Sequence, residues 1–163
     1  ILAFALLKGG HDELIIQKGT ELGIAEFVPF LSARSVIRLP LEKDKANKAE
    51  RYSKIITGAS EHCRRGKVPE LKKIYEFKDL LKIPAKTKLI AYESVAVGGK
   101  PFLDEVSEDT LLVIGPEGGF SPEEADLLIS NGFTPISLGR RILRTETACI
   151  AAAANYALKY EKQ

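Results

Sequence analysis

The chain has 163 residues, 45% of them hydrophobic and 28% charged, so it is long enough for one ordinary domain with a full core. Its apolar runs are far shorter than the roughly 20 residues of a membrane span, and its net charge of +2 gives little overall attraction to nucleic acid. Two cysteines and two histidines cannot complete a zinc site without carboxylates. We therefore expect a cytoplasmic protein with no membrane segment, metal site or disulfide.

The first half of the chain alternates short apolar runs with helical patterns. The expected elements are a strand over residues 1–7, a helix capped by Asp12 and ending at Leu22, a strand over residues 26–31, a loop over residues 32–38, a helix from about residue 46 to 63 and a short helix over residues 77–81. Because residues 1–7 look like a core strand from the first position, we expect a further segment upstream of this chain.

The second half continues the alternation. The expected elements are a strand over residues 87–92, a loop over residues 97–101, a strand over residues 110–114, a loop over residues 115–120, a helix from Ser121 to about Asn131, a strand over residues 134–138 and a helix over residues 146–160 capped by Thr145. Ser121, Pro122 and Glu124 together predict a capping box with proline in the first turn.

Strands that alternate with helices predict an α/β fold in which a parallel sheet is flanked by helices. Ligands of such sheets bind beyond the carboxyl ends of the strands. The loops that follow residues 92, 114 and 138 are therefore the places to look for a site.

A glycine-rich loop follows the most apolar strand. Its residues Gly115, Pro116, Glu117, Gly118 and Gly119 allow the backbone to approach a ligand closely. The pattern is neither a Walker loop nor G-x-G-x-x-G, so an ordinary strand-to-helix turn is the alternative.

A second loop combines three arginines with a helix start. Arg141 and Arg144 are suited to hold phosphate or to polarise a nucleobase carbonyl, and the helix start offers backbone donors. The alternative is a solvated basic turn. Basic side chains suited to contact RNA phosphates form three clusters, which are Arg34 with Arg38, then Arg64, Arg65 and Lys67, and finally Arg140 with Arg141 and Arg144.

Together these segments resemble the RsmE family of ribosomal RNA uracil-N3 methyltransferases, members of the SPOUT superfamily. The resemblance covers nearly the whole chain and is most specific in residues 114–124 and 138–148. The family usually has glutamine at His62 and alanine at Gly19, and neither position lies in the two loops expected to bind the cofactor. The resemblance implies a C-terminal deep trefoil knot, a homodimer and an upstream PUA-like β-barrel that binds RNA.

The resemblance also implies methyl transfer from S-adenosylmethionine to N3 of a uridine in 16S ribosomal RNA. Arg144, Arg141 and Glu146 are the catalytic candidates, although Glu117 is an equal candidate for the proton acceptor. Two alternatives remain, a SPOUT enzyme that methylates a ribose or a transfer RNA, and an RNA-binding module without activity. The residues expected to bind the cofactor are Gly115, Pro116, Glu117, Gly118, Gly119, Leu138, Gly139, Ile142, Leu143, Thr145 and Ala148.

Overall fold

The computed structural model describes residues 1–92 and 99–161. The strands are β1 (Leu2–Ala5), β2 (Glu26–Leu31), β3 (Glu70–Leu71), β4 (Tyr75–Glu76), β5 (Thr87–Ala91), β6 (Lys100–Pro101), β7 (Thr110–Ile114) and β8 (Thr134–Ser137). The helices are α1 (His11–Glu21), α2 (Glu42–His62), α3 (Phe102–Glu105), α4 (Pro122–Ser130) and α5 (Thr145–Tyr160), with a 3-10 helix at Phe77–Lys82.

All the strand pairings in the described part of the chain are parallel. The order across the sheet is β3-β2-β1-β7-β5-β8-β6, and β4 pairs with β2. The register places Leu112 of β7 beside Leu2 of β1 on one side and beside Leu89 of β5 on the other. The predicted parallel sheet is confirmed, and β1, β7, β5 and β8 all end at the same edge.

Apolar side chains cover both faces of this sheet. On one face, Phe4 and Phe27 pack with Tyr52 of α2 in a cluster that α1 and α5 complete. On the other face, Phe30 and Val113 pack with Leu128 of α4. The layers follow from the alternation of side chains along each strand, and the flanking helices are those that the sequence predicts.

The start of α1 differs from the prediction that Asp12 caps it. Gly10 is the cap, in the left-handed conformation at φ 78°, and its carbonyl accepts the first helical hydrogen bond from Glu13 at 3.1 Å. Asp12 lies inside the first turn and is fully buried. Its carboxylate accepts a hydrogen bond from the Tyr52 hydroxyl at 2.7 Å and pairs with the Lys48 ammonium at 2.8 Å. The Asp12 side chain therefore binds Tyr52 and Lys48 of α2, which are remote in sequence, and does not cap α1.

Helix α2 starts at Glu42, four residues before the prediction. Lys45 binds Glu42 and Glu76, and Lys48 binds Asp12. The first turns of α2 lack an apolar pattern, but their lysines therefore have acidic partners. Intrahelical and tertiary ion pairs therefore extend the helix where its apolar periodicity fails.

The last helix also begins one residue earlier than predicted. Arg144 is the cap and Thr145 is the first helical residue, because the Thr145 hydroxyl donates to the Gly115 carbonyl at 2.9 Å. The capping box of Ser121 and Glu124 at α4 is confirmed. Of the loop predicted over residues 97–101, Val97 and Gly98 lie outside the described residues, and Lys100–Pro101 is β6. The trefoil knot stays a prediction.

The described residues contain neither a membrane-spanning helix nor a metal-binding group of side chains. None of their helices has the length and apolarity to cross a bilayer, and none of their His, Cys, Asp and Glu side chains form a group of three suited to a metal. Both cysteines are unpaired thiols. Burial raises the pKa of the Cys149 thiol, and the nearby Glu146 carboxylate raises it further, so this thiol is unreactive.

Candidate active site

The loop after β7 is shaped by contacts that require glycine. A Cβ added to Gly115 would lie only 3.1 Å from the Phe120 ring, and Gly119 has a φ of 68°. The Gly119 amide donates to the Pro116 carbonyl at 2.8 Å and closes a tight turn. Phe120 is buried against the rings of Phe77 and Tyr92, which fixes the far end of the loop. The backbone of the loop is therefore held at the edge of the sheet.

A buried carboxylate ties this loop to the basic segment that follows β2. Glu124 accepts hydrogen bonds from the Ser32 hydroxyl at 3.0 Å, the Ala33 amide at 2.8 Å and the Ser121 amide at 3.0 Å. The adjoining Arg34 then donates from Nη1 to the Gly118 carbonyl at 3.1 Å. Glu124, a member of the capping box of α4, thus also positions Arg34 above the glycine-rich loop.

The loop after β8 joins the first loop through the start of α5. Gly139 has a φ of 126° and its amide donates to the Ser137 hydroxyl at 3.2 Å. Ile142 is 93% exposed, unusual for an isoleucine, at the mouth of the site. The hydrogen bond from Thr145 to Gly115 connects both loops, and residues of both line the same cavity.

The starts of helices α1 and α5 meet at the same place. His11 is the first residue of α1, and its Nδ1 lies 3.2 Å from Oε1 of Glu146 in the first turn of α5. The Glu146 side chain is 12% exposed and that of His11 is 45% exposed. A nearly buried carboxylate therefore holds an imidazole that solvent still reaches.

These features enclose a cavity of about 840 Å³ beyond the carboxyl ends of β1, β5, β7 and β8. This volume lies within the usual range for small-ligand sites. Apolar side chains form part of its wall and cationic side chains stand around it. The predicted site residues that line it are Arg34, Gly115, Pro116, Glu117, Gly119, Leu138, Arg141, Ile142, Leu143, Arg144, Thr145, Glu146 and Ala148.

Other predicted residues lie outside the wall of the cavity. Gly118 is next to it, but a Cβ there would meet Arg34 at 3.3 Å and not the cavity. Gly139 and Arg140 belong to the second loop without lining the cavity, and Arg38 donates to the Ala33 carbonyl at 3.3 Å.

The cluster of Arg64, Arg65 and Lys67 stands apart from the cavity. Arg65 donates from Nη1 to the carbonyls of Thr20 at 2.8 Å and Ile24 at 2.9 Å, which places it at the carboxyl end of α1. The opposite end of α1 lines the cavity, and an 11-residue helix is about 16 Å long. Arg65 therefore fastens α1 to the end of α2, while Arg64 and Lys67 are exposed.

Several residues of the cavity wall were not predicted from the sequence. Lys8 and His11 follow β1, whose carboxyl end was not among the loops singled out. The signal was present, because Gly9-Gly10 after an apolar strand resembles the other two loops in composition. The remaining residues that were missed are Ala91, Tyr92, Ile114, Phe120, Pro122 and Ile136.

A parallel sheet covered on both faces, with a cavity lined by apolar side chains and arginines beyond its strands, defines an α/β protein built to bind a small ligand beside a basic surface. The chain belongs to the RNA methyltransferase domain family, which matches residues 1–157.

The chain is also similar to named members of this family. The chain is 39% identical to ribosomal RNA small subunit methyltransferase E of Bacillus subtilis (strain 168), with 99% of this chain and 66% of the relative aligned. It is 36% identical to the protein of that name from Synechocystis, with 94% of this chain and 51% of the relative aligned. The chain thus spans between half and two thirds of these relatives.

Solved structures give the same result. The crystal structure of ribosomal RNA small subunit methyltransferase E from Neisseria gonorrhoeae, bound to S-adenosyl methionine, matches with a TM-score of 0.85 at 33% identity. The match covers 98% of this chain and 66% of the other. The resemblance to the RsmE family and the SPOUT-type α/β fold are thereby confirmed.

Proposed function

We propose that the protein transfers a methyl group from S-adenosylmethionine to N3 of a uridine in small-subunit ribosomal RNA. The observation that carries this proposal is the cavity formed jointly by the Gly115–Gly119 and Leu138–Thr145 loops, with arginines around it. The names of the relatives and the cofactor in the N. gonorrhoeae structure support the same reaction. The choice of N3 rests on the resemblance to the RsmE family.

The cavity suits the proposed cofactor. Backbone groups of the two loops are available to the polar parts of an adenosyl group, and Leu138, Leu143 and Ala148 offer an apolar surface to the adenine. S-adenosylmethionine supplies an electrophilic methyl group when bound. The protein has to hold the uracil in line with that methyl group and to receive the N3 proton.

The basic side chains divide into two proposed roles. Arg141 and Arg144 line the cavity and are placed to stabilise negative charge that develops on the uracil. Arg38 and Arg140 are exposed and do not line the cavity, and Arg34 lines it but is held against the Gly118 carbonyl, so we assign these three to RNA phosphates. Arg64 and Lys67 remain candidates for a more distant phosphate contact, whereas the two backbone contacts of Arg65 favour a structural role.

We also propose that two copies associate through α5 and that the protein acts in the cytoplasm. Ala152 and Ala153 are buried in the chain's own core, so the small-residue run at 151–154 is only partly available to a partner. Leu158 on the same helix is 82% exposed and would gain from burial. Light scattering at micromolar concentration is expected to give the mass of a dimer, and a monomer would refute this association.

The placement of the cofactor predicts a steric effect at Ala148. This buried residue lines the cavity from the first turn of α5, so Ala148→Leu adds three carbons to the wall. We expect affinity for S-adenosylmethionine to fall roughly 10- to 100-fold, as overpacking of about 1–3 kcal/mol implies. Calorimetry measures the affinity. Ala46→Leu, the same change at an exposed position of α2, is the matched control and should bind as the unsubstituted protein does.

The reaction itself is tested on unmodified small ribosomal subunits. Nucleoside mass spectrometry after incubation with protein and S-adenosylmethionine is expected to show 3-methyluridine. A 2′-O-methylated nucleoside would indicate the ribose-methylating alternative, and RNA binding without any methylation would indicate a non-catalytic module.

A further inference from the structure

The pair formed by His11 and Glu146 has a geometry that the proposed function does not yet use. Both residues line the cavity, and the 3.2 Å separation of Nδ1 and Oε1 is within hydrogen-bond reach. Because the carboxylate lies against Nδ1, that nitrogen is the donor and Nε2 is left as the acceptor. A carboxylate that orients an imidazole in this way also stabilises the imidazolium that forms when the imidazole takes a proton.

The outer edge of the imidazole is kept open by Gly9. A Cβ on Gly9 would lie 3.4 Å from Cδ2 and 3.7 Å from Nε2 of His11, so any side chain there would cover this edge. Gly9 also has a φ of 69°, which disfavours other residues. Glycine at position 9 thus leaves Nε2 uncrowded on a histidine that lines the cavity.

We propose that His11 is the proton acceptor of the methyl transfer and that Glu146 is its positioning residue, an inference that rests on the proposed function. The uracil N3–H bond breaks and the proton goes to Nε2 of His11. The electron pair left on N3 forms the bond to the methyl carbon, and the pair of the breaking carbon–sulfur bond goes to sulfur. The imidazolium, paired with Glu146, then releases its proton to solvent through its exposed edge.

Charged side chains surround His11 on α5, on α2 and on the segments after β1 and before α5. Glu146 comes from α5, while Lys8 and Arg144 line the same cavity from the segments after β1 and before α5. On the side of α2, Lys48 and Arg51 are engaged by the two acidic residues that follow His11 in α1. Glu146 is thus the anionic partner in contact with the imidazole, and its removal should affect His11 first.

The matched pair of variants is His11→Gln and His62→Gln, because these are the two histidines of the chain. His62 is exposed at the end of α2 and does not line the cavity. Single-turnover methylation of unmodified small subunits, at saturating cofactor and RNA, should be roughly 10²-fold or more slower in His11→Gln. It should be unchanged in His62→Gln.

Two further measurements separate a proton acceptor from a merely structural residue. Nitrogen NMR of the protein without ligands should show the proton of His11 on Nδ1, and Glu146→Gln should change that tautomer preference. Calorimetry should give His11→Gln an affinity for S-adenosylmethionine close to that of the unsubstituted protein.

The results distinguish this inference from the proposed function. If the unsubstituted protein makes 3-methyluridine and His11→Gln does so within about twofold of the same rate, His11 is not the acceptor and the function stands. If the unsubstituted protein methylates no uridine, both proposals fall.

Discussion

Replacing Arg144 with alanine is expected to slow methyl transfer by roughly 10²–10³-fold, the usual loss when one stabilising donor is removed from an active site. Uracil gains negative charge as its N3 proton leaves. The Arg144 guanidinium lines the cavity, and no hydrogen bond or ion pair to another described side chain engages it. It is therefore available to that charge in the transition state.

The effect should appear in the chemical step and not in binding. Single-turnover rates at saturating RNA and cofactor isolate that step, and calorimetry should show nearly unchanged cofactor affinity in Arg144→Ala. Arg144→Lys keeps the charge but loses the planar fork of donors, so it should recover only part of the rate.

Arg141→Ala is the comparison from the same loop. Its side chain also lines the cavity, and a role in holding phosphate or cofactor would weaken affinity more than it slows the chemical step. An Arg144→Ala rate within about twofold of the unsubstituted protein would remove Arg144 from the catalytic residues.

The second large effect concerns stability. Asp12→Ala is expected to reduce the free energy of unfolding by about 2–4 kcal/mol, because it leaves the partly exposed Lys48 ammonium and the buried Tyr52 hydroxyl without their acceptor. Asp12 is fully buried, and its two side-chain partners, Lys48 and Tyr52, both belong to α2, while the Glu13 amide of α1 also donates to its carboxylate. Urea unfolding measures the loss. Asp126→Ala, at an exposed position of α4, should change stability by less than about 0.5 kcal/mol.

The same group of side chains predicts a response to alkali. Burial, followed by the nearby Asp12 carboxylate, raises the pKa of Tyr52 far above its ordinary value. The unfolded chain ionises this tyrosine near pH 10 while the folded chain does not, so the stability it contributes is complete below about pH 10 and is lost above it. Tyr52→Phe should weaken this loss of stability at high pH.

For the Asp12→Ala prediction, a loss of unfolding free energy under about 1 kcal/mol would show that the buried group contributes little.

Sequence patterns predicted the elements whose signals are local. The capping box at Ser121, the apolar strand before Gly115 and the parallel sheet could all be read from neighbouring residues, and so could most of the cavity wall. Those signals depend on backbone preferences and on alternating burial, which act over a few residues.

What could not be predicted depends on contacts between distant residues. Asp12 was predicted to cap α1, but its carboxylate accepts a hydrogen bond from Tyr52 of α2. Thr145 was predicted to cap α5, but its hydroxyl donates to the Gly115 carbonyl. His11 went unnoticed because its partner, Glu146, lies near the other end of the chain. Short strands such as β3 and β6, with two residues each, have no periodicity that could reveal them.

The position of β1 in the middle of the sheet has a consequence for how the protein is made. Leu2 pairs on one side with Phe27, which is synthesised soon afterwards, and on the other side with Leu112 of β7. At usual elongation rates β7 emerges from the ribosome about 5–20 s after β1. Throughout that interval one apolar edge of β1 has no native neighbour, and such edges recruit foreign strands. The β7-facing edge of β1 is therefore open to wrong strand pairing until β7 has been synthesised.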